Sequence, residues 1–370
     1  MTWFIGLMSG TSLDGVDGVL AQADAAGLLG AVSHSHRPLG TALRAELLAL
    51  NRSGADELHR AALAANGLVL VYAQVVEQLL AQAGLSPTQV EAIGAHGQTV
   101  RHRPGEFDGR GYTCQLMNGA LLAELSGIDV VCDLRSRDVA AGGQGAPLVP
   151  AFHAACFGRA GHNRAVLNLG GIANLTLLLA DGGVLGFDTG PGNLLMDLWC
   201  QGQQGRPYDA GGAWAASGQV DGALLAALLD EPYFTRPAPK STGRDLFDAA
   251  WLQARLAARR LQPADVMATL LELTARSAID ALLKAPASID ELLVCGGGAF
   301  NAHLMSRLAL LAGPSARVGS TVEVGVPPDQ VEALAFAWLA SAFVARRAGN
   351  LPAVTGARGP RVLGALYPAR

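Results

Sequence analysis

The stretch Trp3-Phe4-Ile5-Gly6-Leu7-Met8-Ser9-Gly10-Thr11-Ser12-Leu13-Asp14-Gly15-Val16-Asp17-Gly18-Val19-Leu20-Ala21 decides how the fold of this chain is read. Two β-forming runs, Trp3–Met8 and Val16–Ala21, flank a polar turn of glycine, serine, threonine and aspartate, the pattern of a hairpin. In such a turn glycines let backbone N–H groups approach a phosphate, hydroxyls add donors, and an aspartate can hold Mg²⁺ through water. Gly10, Thr11, Ser12, Leu13, Asp14, Gly15, Val16 and Asp17 are therefore candidate nucleotide-binding positions, with Asp14 the candidate metal contact. A plain β-turn rich in small residues is the competing reading.

The same pattern returns later. Arg164–Leu169 reads as a strand, Gly170-Gly171 as a turn and Ile172–Leu179 as a second strand, so Asn168, Gly170 and Gly171 join the nucleotide candidates. A strand–glycine turn–strand unit at the head of each half points to a duplication. Two such hairpins facing across a cleft could grip a triphosphate from both sides. A third cluster, Gly296-Gly297-Gly298, follows the apolar strand Glu291–Cys295 and leads to Asn301 and a helix. Bare backbone there lets a base and ribose lie close, and the helix N-terminus favours anionic groups.

The rest of the chain alternates. Helical periodicity marks Ala42–Leu50, Ala55–Ala83, Asn118–Ser126, Leu194–Gln203, Asp221–Leu229, Leu246–Arg259, Pro263–Lys284, Asn301–Leu311 and Asp329–Arg347. Strands are expected at Val90–Ala95, Ile128–Cys132 and Val184–Phe187, with a functional loop at a domain junction over Asp133–Pro150. This is an α/β chain with helix-covered sheets.

Its 370 residues exceed what one core usually organises. The expected division is a first domain of residues 1–130 completed by the tail 350–370, and a second of residues 131–349. With 50% hydrophobic and 16% charged residues the chain suits a well-buried globular enzyme. A net charge of −4 without a basic stripe argues against nucleic acid as a partner. The apolar stretches Ala61–Leu80 and Ala333–Ala345 carry polar residues at helical intervals and read as buried helices, leaving a membrane without a role. Five dispersed cysteines and no C-x-x-C pair fit the reducing cytoplasm, and the N-terminus lacks a signal-peptide pattern. There is no G-x-x-x-x-G-K-[ST] loop, because Lys240-Ser241-Thr242 follows Pro239, and no G-x-G-x-x-G after the first strand.

Asp188 ends an apolar strand before Thr189-Gly190-Pro191-Gly192-Asn193, where a general base or metal-binding group sits in α/β folds; capping of the next turn is the alternative. His96 and Gln98, after another strand, suit sugar hydroxyls. Arg135, with Arg137 and Asp138, suits a carboxylate or cleft closure, or else a salt-bridged surface loop. Glu332 opens a helix, where a solvated first-turn acid is the ordinary case. Lys240–Asp245 reads as a lid contact or a helix start.

Jointly, GTSLDGVD after Met8-Ser9, HGQTVRHRP (His96–Pro104), RDVAAGGQGAPLVPAFH (Arg137–His153), NLGGIANLT (Asn168–Thr176), FDTGPGN (Phe187–Asn193), KSTGRD (Lys240–Asp245), CGGGAFN (Cys295–Asn301) and EALAFAWLA (Glu332–Ala340) resemble the anhydro-N-acetylmuramic acid kinase family over essentially the whole chain. The resemblance implies a two-domain actin-like, hexokinase-like ATPase fold with nucleotide in the interdomain cleft, ATP and Mg²⁺ as cofactors, and a homodimer. It implies conversion of 1,6-anhydro-N-acetylmuramic acid, ATP and water to N-acetylmuramic acid 6-phosphate and ADP, in bacterial cell-wall recycling. ATP phosphates then lie on Gly10–Asp17, the general base is Asp188, and the sugar contacts are His96, Gln98, Arg135, Asn174, Gly190, Asn193 and Glu332. One departure is Met117 before Asn118, where the family usually has glycine. A conventional sugar kinase acting on a free hydroxyl, or a catalytically silent sugar sensor, are the competing functions.

Overall fold

The computed structural model describes residues 2–10, 12–24, 29–238, 240–243, 246–257 and 259–369. The chain divides into two compact units, Met1–Cys156 with Gln330–Arg370, and Phe157–Asp329.

The first unit opens with β1 (Thr2–Met8), β2 (Gly15–Ala23) and β3 (Leu29–Pro38), an antiparallel meander. Helices α1 (Thr41–Ala49) and α2 (Glu57–Ala83) follow, then β4 (Val90–Ala95), parallel to β1. β5 (Gln98–Pro104) and β6 (Gly111–Leu116) pair with each other in a separate hairpin. After α3 (Gly119–Ser126), β7 (Val130–Cys132) joins β4 in parallel, and α4 (Ser136–Ala140) and α5 (Val149–Phe157) close the segment. The departure at Met117 leaves Asn118 in a helix-capping role, its Oδ1 accepting from the Leu121 N–H at 3.0 Å.

The second unit repeats the plan. β8 (Arg164–Leu169), β9 (Ile172–Leu178) and β10 (Val184–Pro191) form an antiparallel meander. Helices α6 (Leu194–Gln204), α7 (Ala213–Ser217), α8 (Gly222–Leu229), α9 (Ala249–Leu256) and α10 (Pro263–Leu283) come next. β11 (Glu291–Cys295) then lies parallel to β8, and beyond α11 (Ala302–Ala312), β12 (Arg317–Ser320) lies parallel to β11. The chain returns to the first unit with α12 (Val331–Val344), α13 (Pro352–Thr355) and β13 (Ala365–Tyr367), which pairs antiparallel with β7.

The sheet orders are β3-β2-β1-β4-β7-β13 and β10-β9-β8-β11-β12. Apart from the added β13, each is a meander followed by two parallel strands in the same order, so the duplication expected from the two hairpins is present as topology.

Each unit has its own core. In the first, α2 turns Ala64, Leu68, Val75 and Leu79 inward at helical spacing, with Tyr72 fully buried among them. By length and composition α2 could cross a membrane, but this face is packed into the unit's core. In the second, α10 supplies Met267, Leu270, Leu271 and Leu273 to the core under β8–β11. The unit boundaries fall at 156/157 and 329/330 rather than at the expected 130/131 and 349/350. β7 is hydrogen-bonded to β4, which ties the chain beyond Cys132 to the first sheet, and α12 packs on β1 and β4. A Cβ on Gly6 would sit 1.8 Å from the Ala333 carbonyl oxygen, and one on Gly94 2.0 Å from that of Phe336. Those two glycines let the helix backbone lie directly on the strands.

Candidate active site

The candidates fall on both units. In the first, the turn between β1 and β2 closes with the Leu13 N–H donating to the Gly10 carbonyl at 3.2 Å, Leu13 having φ +56°. Ser12 Oγ and the Gly15 N–H both donate to Asp14 Oδ1, at 2.6 and 3.0 Å. Asp14 is exposed, and a Cβ on Gly10 would meet only Ser12 Oγ, at 3.5 Å, so this backbone is open to a ligand. Thr11 lies outside the described residues. Leu13 and Val16 bury their side chains in the core and offer only backbone. Asp17 lies within β2 and accepts on Oδ1 from His34 Nε2 (3.2 Å) and His36 Nδ1 (2.9 Å) on β3.

The turn is held from behind. His96 Nδ1 bonds the Ser9 carbonyl at 3.1 Å, Gln98 Nε2 donates to the Gly10 carbonyl at 3.2 Å, and Ser9 Oγ donates to the Gly97 carbonyl at 2.9 Å while pairing with the Tyr72 hydroxyl. These bonds fix the carbonyls at the entry to the turn. Arg135 donates through Nε and NH2 to His96 Nε2, at 3.3 and 3.0 Å, and through NH1 to the Gly145 carbonyl at 2.8 Å. His96 Nε2 is thus an acceptor and Nδ1 carries the proton. Burial, aided by the Arg135 charge, pushes the His96 pKa down to about 3, so the ring stays neutral. Burial also lowers Arg135 to about 10, against the opposing charges of Glu332 and Asp138. Three of the Arg135 bonds go to His96 and the Gly145 carbonyl, and its charge is met by the Glu332 and Asp138 carboxylates. Glu332, in the first turn of α12, acts electrostatically on the same guanidinium.

In the second unit the three glycine-rich segments meet. The Gly192 N–H donates to the Gly171 carbonyl (2.9 Å) and the Asn193 N–H to that of Gly170 (2.8 Å), while Asn193 Nδ2 donates to the Leu169 carbonyl (2.9 Å). Asn193 thus holds the β8–β9 turn against the start of α6. Gly296 has φ +79°, and a Cβ there would lie 2.4 Å from Asn168 Oδ1; one on Gly298 would lie 2.5 Å from the Leu169 Cβ. Gly297 starts the short 3₁₀ turn Gly297–Phe300. Asn301, a nucleotide candidate, caps α11, its Oδ1 accepting from the Leu304 N–H at 2.9 Å.

Asp188 is the centre of this half. Its register partner across β9–β10 is Asn174, which in turn pairs with Asn168 on β8. Directly paired residues share a face of a sheet, so the three polar side chains form one row beside the turn. The Asp188 N–H donates to the Lys240 carbonyl at 3.0 Å, its carbonyl accepts from the Tyr233 hydroxyl at 2.7 Å, and its Oδ2 accepts from the Thr242 N–H at 3.0 Å. Burial raises the Asp188 pKa to about 6, against the Thr242 N–H and the Lys240 charge. Lys240 Nζ donates to the carbonyls of Tyr233 and Phe234 and lies 4.7 Å from the Tyr233 ring centroid. Gly190 is packed against Phe234, 2.6 Å from where its Cβ would be, and is a structural glycine of β10. Sequence reading missed Tyr233 and the backbone of Thr242 as partners of Asp188, since nothing local marks them. Arg244 and Asp245 of the KSTGRD motif lie outside the described residues. Among the described residues no group of three or more His, Cys, Asp or Glu is placed to hold a metal ion by itself.

The duplicated sheet order, with a glycine-bearing hairpin heading each copy, is that of the actin-like and hexokinase-like ATPase fold. The anhydro-N-acetylmuramic acid kinase family model matches residues 2–369, and the chain belongs to that family. It is 60% identical to the anhydro-N-acetylmuramic acid kinase of Variovorax paradoxus (strain S110) over 372 residues, covering 99% of each chain. It is 61% identical to that of Bordetella petrii (strain ATCC BAA-461 / DSM 12804 / CCUG 43448) over 371 residues, 99% of this chain and 96% of the relative. Among solved structures, the activator of the 2-hydroxyisocaproyl-CoA dehydratase from Clostridium difficile with bound ADPNP aligns at 13% identity and a TM-score of 0.48, covering 93% of this chain and 96% of that one. The chain is a kinase, transferring a phosphoryl group to a sugar.

Proposed function

We infer that this kinase acts on 1,6-anhydro-N-acetylmuramic acid in peptidoglycan recycling, opening the anhydro bridge with water as it transfers the γ-phosphoryl of ATP, with Asp188 as the base. The observation that carries the mechanism is the Asp188 carboxylate, desolvated, held by the Thr242 N–H and tuned to about 6. A base in that range is ionised at neutral pH and still accepts a proton readily.

The chemistry explains why a base serves water here. In the anhydro sugar O6 is bonded to C1, so there is no 6-hydroxyl to attack ATP. Water attacks C1, giving one proton to Asp188 and keeping the other as the new 1-hydroxyl. The C1–O6 bond breaks through an oxocarbenium-like centre, O6 takes the γ-phosphorus, and the β–γ bridge oxygen leaves with ADP. Asp188 then releases its proton to solvent. The Gly10–Gly15 turn supplies backbone N–H groups to the phosphates, supported by the bonds of His96 and Gln98 to the Ser9 and Gly10 carbonyls. Asp14 fits Mg²⁺: it is exposed, and among the described residues its bonds fall on Oδ1, suiting a hard cation held through water by one carboxylate and the phosphates. When bound, Mg²⁺ neutralises charge on the β- and γ-phosphates. Gln98, Asn174 and Glu332 are the sugar-facing candidates of this reading, both ring nitrogens of His96 being taken by the Ser9 carbonyl and Arg135. A homodimer acting in the cytoplasm belongs to the same reading, which rests there on the family alone.

Phosphate transfer followed by ³¹P NMR tests it. ATP should be consumed with the anhydro sugar and not with N-acetylmuramic acid or N-acetylglucosamine. Faster transfer to either free sugar would overturn the assignment in favour of a conventional kinase.

A further inference from the structure

The α4 carboxylate Asp138 is 0% exposed and takes no part in the chemistry above. Its Oδ1 accepts from Asn350 Nδ2 (2.6 Å) and Thr355 Oγ1 (2.8 Å), and its Oδ2 from the Gly145 N–H (2.7 Å). The other side of the Gly145 residue is its carbonyl, which accepts from Arg135 NH1. Arg135 donates to His96 Nε2, and His96 Nδ1 donates to the Ser9 carbonyl at the mouth of the Gly10–Gly15 turn. A continuous hydrogen-bonded chain therefore runs within one unit from the C-terminal segment to the candidate phosphate turn, and every polarity in it is fixed. The anion takes an N–H, the cation takes a carbonyl and the imidazole nitrogen, and the imidazole is left as the Nδ1–H tautomer.

We propose that Asp138 is a positioning residue for the phosphate-binding turn, acting through Gly145, Arg135 and His96; this rests on reading Gly10–Gly15 as that turn. The competing role is a staple between the C-terminal segment and the loop after α4. That junction is already made by backbone bonds, Gln144 N–H to the Thr355 carbonyl (2.7 Å) and Arg358 N–H to the Ala141 carbonyl (3.0 Å). The carboxylate is not needed for it. Its Oδ2 reaches Gly145 only because residue 143 is glycine, since a Cβ there would lie 2.2 Å from that oxygen.

The test pairs Asp138→Asn with Thr355→Val. An asparagine can keep its oxygen toward Asn350 and Thr355, but then turns its NH₂ toward the Gly145 N–H. Thr355→Val removes one donor on the tail side and leaves the Gly145 link intact. Calorimetric ADP affinity should fall about tenfold in Asp138→Asn, the scale of a lost charge-assisted bond, and stay unchanged in Thr355→Val. Side-chain ¹⁵N NMR should show His96 as the Nδ1–H tautomer in the wild type and Thr355→Val, and as a tautomer mixture in Asp138→Asn. Both variants melting lower with unchanged ADP affinity and an unchanged His96 tautomer would make Asp138 a staple and end the proposal. If Asp138→Asn does not fold, Arg135→Gln asks the same of the next link, and an unaltered tautomer and affinity there would also overturn it. Gly10→Val separates this from the premise: unchanged ADP affinity in that variant would sink the reading of the turn, while the tautomer still reports on the Asp138 chain.

Discussion

The Thr242 N–H donates to Asp188 Oδ2 at 3.0 Å, across 54 positions of sequence, while the Asp188 N–H donates back to Lys240 at 3.0 Å. Two bonds of opposite sense clamp β10 to the Lys240–Gly243 segment and aim the carboxylate. The Thr242 bond favours the ionised form, yet burial outweighs it and leaves the pKa at about 6. That balance is what makes Asp188 a base rather than a permanently charged anchor.

Asp188→Asn should therefore remove turnover by about 10²–10⁴-fold while ADP affinity stays within about twofold. Its amide oxygen can still accept from Thr242, so the clamp survives. Steady-state kinetics beside calorimetry check this, and a variant with near-wild-type kcat would remove Asp188 from the mechanism.

The same substitution should raise the melting temperature at pH 8. Asp188 titrates near 6 in the folded chain against an ordinary 3.8. The folded state holds this proton more tightly, so the contribution is present below 3.8 and lost as pH rises through about 6. Above that the wild type bears a desolvated charge, and relieving it should stabilise by on the order of 1–3 kcal/mol. Scanning calorimetry should show nearly the full gain at pH 8 and about half of it at pH 5, which lies between the two pKa values.

Activity should follow the opposite limb. With Asp188 needed as the anion, kcat/KM for the anhydro sugar should fall about tenfold per pH unit below about 6, and be flat from 7 to 8. A limb centred near pH 4 would mean that the base is a solvated carboxylate elsewhere.

Acid should also destabilise the first unit. Burial puts both His96 and His153 at about 3, against an ordinary 6.5. Protons bind the unfolded chain first, so this stability is full above 6.5 and is lost as pH falls toward 3. His153→Gln should flatten the loss of melting temperature between pH 6.5 and pH 4; an unchanged slope would mean that His153 is already protonated in the fold.

The legible parts of the sequence were the local ones. β1, β2, β8 and β9 announce themselves because apolar runs flank glycine turns, and Asp188 because it follows an apolar run, although β10 continues past it to Pro191. β3 is hard to read because polar residues occupy both its faces, His34 and His36 toward β2's Asp17 and Ser33 and Ser35 on the other side. β5 is hard to read because Arg, His and Pro crowd it and glycines follow it to Gly111, although its pairing with β6 is regular but for one shift. The partners that tune the site, Thr242 for Asp188 and Tyr72 for Ser9, act through a backbone N–H and a buried hydroxyl far away in sequence. No periodicity or motif encodes such contacts.

The glycines of the second unit give a further test. Gly298→Ala places a Cβ 2.5 Å from that of Leu169, with no flexible atom to yield. It should cost about 1–3 kcal/mol and weaken ADP binding, whereas Gly171→Ala, with nothing within 4 Å of its Cβ, should leave stability unchanged. Equal melting temperatures for the two variants would show that the third glycine cluster does not pack on the turn.

Mass spectrometry of the sugar product formed from anhydro-N-acetylmuramic acid, ATP and Mg²⁺ in ¹⁸O-labelled water tests the central claim most directly. A 6-phosphate carrying one solvent oxygen at C1, seen in the nascent product before anomeric exchange, is the expected result. A phosphorylated product with the anhydro bridge intact and no solvent oxygen would contradict it.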